Sequence, residues 1–316
     1  MTENNVNDVV SIGGSTYDII ALSLGSVNLH DSNPSNISVG CGGVGRNIAE
    51  NTARLGISTS LISAFGTDVF SDALIASCKS VGIDYHKSYI KTDSNACMYL
   101  GFLDTKGELL LAAADVSLIE TFPDSAFKDA ADYINKHRIV CLDANLNENQ
   151  LLMIAQQCTQ TLIGDTVSIV KAPRFRKILP YLHAVKTNKG ELSAITNREI
   201  NDRQSIKDAG QILLHDGVKQ VYITLGQAGA CCVEAEKTTW IDGFPTEVCS
   251  VSGVGDAFCA AIAFGILHGL STPEVLLRGS AMSHITLKSM NTVSPLMSEE
   301  TVQKILKQLN QQCVYE

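Results

Sequence analysis

The chain has 316 residues, 45% of them apolar, and its 33 acidic against 24 basic residues give a formal charge of −9. That supports a substantial core in one large α/β domain or two small ones, and an acidic chain with no basic block fits a small soluble substrate rather than a nucleic-acid polymer. Ten cysteines without a CxxC pair, a polar MTENNVND start and no apolar run of membrane-spanning length read as a reduced cytoplasmic protein away from the membrane.

Along the chain, short β-rich runs alternate with amphipathic helical patterns, the signature of strands joined by helical crossovers. Strands are expected at 9–14 (VVSIGG), 59–66 (TSLISAFG), 138–146 (RIVCLDANL), 166–170 (TVSIV), 184–188 (AVKTN) and 221–226 (VYITLG). Between the first two, residues 44–55 place Ile48, Thr52 and Leu55 on one helical face and stop at Gly56; residues 71–81 repeat the device before Gly82. Residues 19–40 and 88–114 break the rhythm as extended chain with turn signals at DSNPSN and DTKG. They read as a small β subdomain inserted into the main sheet and able to cover a site as a lid, with plain surface hairpins as the alternative. Cys231 and Cys232 fall in a strand that points them to opposite faces, which excludes a local disulfide. The seven histidines lie singly, so no zinc site is expected, and His284 reads as a packed residue of the helix after Pro273.

Three glycine turns carry chemistry. CGGVGRNIAEN (41–51) lets bare backbone approach a ligand ahead of a helix, but it is neither a dinucleotide GxGxxG nor a P-loop. TLGQAGA (224–230) follows a strand and would also suit a plain β-hairpin. SGVGDAF (252–258) is the most specific. Its amides from Gly253 to Asp256 would lie at the positive end of a helix dipole, where the charge of a phosphoryl group in transfer can settle beside the Asp256 carboxylate. A carboxylate that merely complements the dipole is the competing account, although it does not need the flanking glycines.

SGVGDAF, preceded by TLGQAGA and GGVGRN in that order, resembles the ribokinase-like (PfkB) carbohydrate kinases across nearly the whole chain. The resemblance implies a three-layer α/β fold with a mainly parallel central sheet and a small β-sheet lid, in a single kinase domain over 1–316. It implies ATP and magnesium, with Asp256 as the catalytic base and Gly253, Val254 and Gly255 as the anion hole. Asn188 and Glu191 of NKGE would arrange magnesium through water, and Thr224 and Gly226, with Gly229 in the same turn, would meet ATP. Phosphoryl transfer requires this combination of positioning, charge neutralisation and a base.

Within that family, DSNP, GGVGRNIA and DTVSIVK (165–171) together are similar to stretches of the pseudouridine kinases. That likeness implies transfer to the 5′-hydroxyl of a C-nucleoside, with Thr16, Asp18 and Asn47 near the ribose hydroxyls and Gly42 and Gly43 giving the sugar access to backbone. Asn33 would reach over from the lid, and Lys171 would contact phosphate. Another nucleoside, a free sugar such as ribose, or a non-catalytic nucleotide sensor are the alternatives. The sequence departs from the family at Val254, Thr16, Thr166 and Thr187, and Ser250 replaces an aspartate that supports a monovalent cation, so such a cation is not expected. The resemblance also implies a homodimer paired through the lids.

Overall fold

A computed structural model describes residues 7–309; the start of the chain at 1–6 and Cys313 lie outside the described residues. In chain order the strands are β1 (Val9–Ile12), β2 (Thr16–Ser23), β3 (Ser35–Gly42), β4 (Thr59–Ile62), β5 (Ala64–Phe65), β6 (Tyr89–Ile90), β7 (Cys97–Leu103), β8 (Leu109–Asp115), β9 (Ile139–Asp143), β10 (Thr161–Asp165), β11 (Ala184–Asn188), β12 (Gln220–Thr224), β13 (Ala230–Val233) and β14 (Thr238–Ile241). The helices are α1 (Val44–Arg54), α2 (Val69–Ser80), α3 (Ser117–Glu120), α4 (Asp124–Ile134), α5 (Glu148–Gln157), α6 (Lys189–Thr196), α7 (Arg203–His215), α8 (Val254–His268), α9 (Thr272–Leu287) and α10 (Glu299–Leu309).

Eight strands form one sheet in the order β14-β13-β12-β11-β10-β9-β1-β4, parallel from β12 to β4, with β13 and β14 added antiparallel. Strand side chains alternate between two apolar layers. Val10, Ile12, Val140, Leu142, Val221 and Ile223 face α4 to α7, whereas Val9, Ile139, Cys141, Ala184 and Tyr222 face α1, α8, α9 and α10. Helix α8 is apolar almost all round because it lies between the sheet and α9. The fold is therefore ribokinase-like α/β, with helices on both faces of a mainly parallel sheet. Cys231 and Cys232 do face opposite layers.

A separate four-stranded sheet, β3-β2-β7-β8, is the lid. It is antiparallel except where β2 meets β7. It starts at Thr16 rather than 19, and residues 88–96 are not part of it: Tyr89–Ile90 pairs instead with Ala64–Phe65.

The expected strand at 166–170 is corrected by the structure. TLIGD (161–165) is the strand, its side chains covered on both faces, whereas Val167 takes φ +63° and Ile169 and Val170 are 59% and 87% exposed. β-Branched residues there yield to the turn that leaves the sheet, which is anchored by the Val167 amide donating to Asp165 Oδ1 at 2.9 Å. TLGQAGA joins β12 to its antiparallel neighbour β13, the hairpin alternative for that stretch. Asp143, Asp165, Asn188 and Thr224 all stand at the carboxyl ends of their strands, the edge on which α/β sheets bind ligands.

Candidate active site

Helix α8 begins at that edge. Gly253 is its N-cap with φ +79°, and a side chain there would strike the Thr292 carbonyl, so only glycine fits. The amides of Gly253, Val254, Gly255 and Asp256 have no acceptor among the described residues, which leaves four oriented donors at the positive end of the dipole. Beside them, the Lys186 ammonium packs so closely on Gly255 that a Cβ there would lie 2.5 Å from Nζ. Lys186 also pairs with Asp165 Oδ2 at 3.3 Å. Burial disfavours its charge, but Asp165, Glu191 and Asp256 prevail and raise its pKa. Unbonded amides and a cation thus lie side by side at the start of α8.

Asp256 lies in the first turn of α8, is 7% exposed and makes no capping bond; its Oδ2 accepts from Asn47 Nδ2 at 2.7 Å. Burial pushes the carboxyl up to about 7, with Asp165 adding to the rise, while the Asn47 bond and Lys186 oppose it. The carboxylate is thus directed at α1, the sugar side of the resemblance, and is poised to exchange a proton near neutral pH.

On that side Thr16 Oγ1 donates to Asp18 Oδ1 at 2.6 Å, and Gly42 on the neighbouring strand leaves the space that the Asp18 carboxylate occupies. Burial raises the Asp18 pKa to about 6 against the Thr16 bond and the Arg46 charge. Gly43 is the N-cap of α1, in close approach to the backbone of Gly14 and Ser15. Asn47 uses one amide hydrogen on Asp256, and its Oδ1 accepts from Arg46 Nη2 at 3.0 Å. One N–H is left for a ligand.

Two expected residues are held elsewhere. Asn33 closes its own loop, accepting from the Asn28 amide at 2.7 Å and donating to the Asn28 and Asp31 carbonyls at 3.0 Å. Lys171 donates to Asn145 Oδ1 at 2.6 Å, beside Asp143, and burial lowers its pKa. Asp143 in turn accepts from the amides of Gly14 and Asn145 at 2.8 Å each.

On the nucleotide side of the resemblance, NKGE is a capping box. Asn188 Oδ1 accepts from the Glu191 amide at 2.9 Å, Glu191 Oε2 accepts from the Asn188 amide at 2.9 Å, and Thr166 Oγ1 donates to the same Oε2 at 2.6 Å. NxxE before a helix is itself a capping-box signal. A carboxylate and an amide oxygen with remaining lone pairs suit the water shell of a magnesium ion, and no group of three or more acidic, histidine or cysteine side chains among the described residues is arranged to ligate a metal directly. Thr224 Oγ1 lies 3.4 Å from the Thr187 carbonyl, Gly226 faces open space, and Gly229 abuts the backbone after β14. Ser250 Oγ accepts from the Ser252 amide at 3.2 Å, and His284 Nδ1 lies 2.8 Å from Thr246 Oγ1.

Sequence reasoning missed Lys186, Arg46 and Thr292. The first two had a signal: each is a cation inside an otherwise covered element, where an unpaired charge is costly. Thr292 had none, because it reaches Asn47 and Cys41 from a loop far along the chain.

Carbon-13 NMR of labelled aspartates should find one carboxyl titrating near 7 and lost in Asp256→Asn, with a second near 6 lost in Asp18→Asn. Substituting Asn47→Leu should move the first midpoint upward, because that bond favours the ionised form. An Asp256 midpoint near 4 in the parent chain would refute this electrostatic description.

Comparison with known proteins identifies the family and the fold. The chain is 27% identical over 308 residues to the pseudouridine kinase of Escherichia coli, covering 97% of this chain and 98% of that one. It is 23% identical over 307 residues to the mouse (Mus musculus) ribokinase, covering 92% of each. Among solved structures, a carbohydrate kinase from Agrobacterium tumefaciens superposes with a TM-score of 0.81 at 25% identity over 95% of this chain and 96% of that one. Arabidopsis thaliana ribokinase, solved with ribose and ATP, gives 0.84 at 20% identity over 96% and 99%, which shows the shared fold. Residues 6–299 match the model of the pfkB family carbohydrate kinases, and the chain belongs to that family of phosphotransferases.

Proposed function

We propose that residues 1–316 form one kinase domain that transfers the γ-phosphoryl group of ATP to the 5′-hydroxyl of pseudouridine in the cytoplasm. The observation that carries this reading is the Asp256–Asn47 bond at 2.7 Å, which joins the anion site of α8 to the sugar side at α1. Asp256 takes the hydroxyl proton while the hydroxyl oxygen attacks the γ-phosphorus; the bond to the β-phosphate oxygen breaks and ADP leaves. The amides of Gly253, Val254 and Gly255 and the Lys186 charge stabilise the phosphoryl oxygens in transit. Asn188 and Glu191 would hold magnesium through water, which would supply charge neutralisation on the phosphates, and Thr224, Gly226 and Gly229 form the turn that meets ATP. Asp18 and the free Asn47 N–H take the ribose hydroxyls, with Thr16 holding Asp18 in place. Lys171, released from its bond to Asn145, contacts phosphate, and Asn33, which closes its own loop, shapes the lid loop that covers the base. The neutral Ser250 offers no charge to a monovalent cation. The nine described cysteines are free.

The likeness to a pseudouridine kinase over nearly the full chain supports the choice of substrate. Pseudouridine carries a ring N–H that uridine lacks, and a site built for it leaves a buried acceptor unpaired with uridine, a penalty of roughly 1–3 kcal/mol, or about 10- to 100-fold. An ADP-release assay should therefore rank pseudouridine above uridine and both above ribose in kcat/KM. Ribose in first place, or no turnover with any of the three, would overturn the assignment.

The lid also supports pairing of two copies. Ile37, Val39, Leu100, Leu109 and Leu111 are exposed on it, and β8 is an unpartnered edge strand exposed along its length. Sedimentation should show a dimer that Leu111→Glu converts to monomer; a parent chain that stays monomeric at tens of micromolar would refute lid pairing.

A further inference from the structure

Arg46 is 2% exposed and every arm of its guanidinium is engaged. Nε donates to the Gly42 carbonyl at 3.1 Å, and Nη2 donates to the Cys41 carbonyl at 2.6 Å and to Asn47 Oδ1 at 3.0 Å. Nη1 pairs with Glu50 and donates to Ser77 Oγ at 3.2 Å. Cys41 and Gly42 are the last residues of lid strand β3, in register with Tyr17 and Thr16 of β2. Thr292 Oγ1 lies 2.9 Å from the Cys41 carbonyl and 3.2 Å from Asn47 Oδ1. Arg46 Nη2 donates to Oδ1, and the single hydroxyl proton of Thr292 is shared between Oδ1 and the nearer Cys41 carbonyl, so the Asn47 amide turns Nδ2 toward Asp256. Burying a guanidinium is costly, and Glu50, which also pairs with Arg54 at 2.8 Å, compensates it.

We infer that Arg46 is a positioning residue that ties the root of the lid to the Asp256 site, gripping Cys41 and Gly42 with one side of its fork and orienting Asn47 with the other. The shelf beneath Asp18 and the amide that holds Asp256 are then fixed by one side chain, so the two ends of the reaction keep a set separation. A lysine cannot substitute, because one ammonium does not span two carbonyls, an amide oxygen and a carboxylate. In its kinetic consequences the inference rests on the reading of Asp256 as a base; its structural core does not.

The test reads both. Asp256 faces Asp143 on β9, Asp165 on β10, Lys186 on β11 and Asn47 on α1, and all four are kept in the variants. In Arg46→Met, the Asp256 carboxyl should titrate roughly one unit higher by NMR, as befits loss of a bond to the ionised form. The acid limb of kcat/KM for pseudouridine should move by the same amount, with KM for the nucleoside raised as well. Thr292→Val, which keeps shape and removes the hydroxyl shared by Asn47 Oδ1 and the Cys41 carbonyl, should shift both in the same direction by less and provides the result if Arg46→Met does not fold. Arg46→Lys should fail to restore the parent midpoint. An Asp256 midpoint unmoved in the soluble variants, or full rescue by lysine, overturns the inference. A shifted midpoint in a chain that turns over no nucleoside would uphold it while refuting the proposed function.

Discussion

The site depends on one hydrogen bond between distant parts of the chain, from Asn47 at the start of α1 to Asp256 at the start of α8, at 2.7 Å. Each helix start would be an ordinary polar turn alone. Joined, they set a buried carboxylate between a row of free amides and the root of the lid. The bond also favours the ionised carboxylate against the burial that pushes Asp256 up to about 7. A weaker bond would favour the protonated form further, and a general base works best when its pKa lies near the operating pH.

The sheet supplies the remaining electrostatics. Parallel strands bring Asp143, Asp165 and Asn188 to one edge; burial raises the pKa of both aspartates, and at Asp165 the charges of Glu191 and Asp143 add to the rise while a neighbouring cation opposes it. Lys186 is that cation: it stands two residues before the capping box of α6, pairs with Asp165 and packs under Gly255. Each such interaction is costly on its own in a buried setting. Together they gather Asp165, Glu191 and Asp256 around one buried cation.

Much of this was legible in the sequence. The alternation of apolar strands with helices and the two lid segments gave the fold, and SGVGDAF drew attention to Gly253 and Asp256, because those features are local in the chain; Asp18 and Gly42 were singled out by the family resemblance. The strand at 166–170 was misplaced because β-branched residues were weighed without the turn that Asp165 anchors. Asn33 carried a family likeness, whereas its amide closes its own loop, a contact over only five residues that composition does not reveal. NKGE concealed its capping box behind the metal reading, and Thr292 meets Asn47 across 245 positions, beyond any sequence window. What stayed hidden was which side chains meet across the fold, and the partners of Lys186 and Arg46 lie there.

The account stands on Asp256 acting as a base rather than as a charge at a helix start. Asparagine keeps its shape and can still bond with Asn47, but cannot accept the proton. Single-turnover kinetics with pseudouridine and ATP, together with calorimetric binding of each, should show Asp256→Asn binding both within a few-fold of the parent chain while phosphoryl transfer falls by roughly 10²- to 10⁴-fold. Transfer at a near-parental rate in that variant would contradict the account.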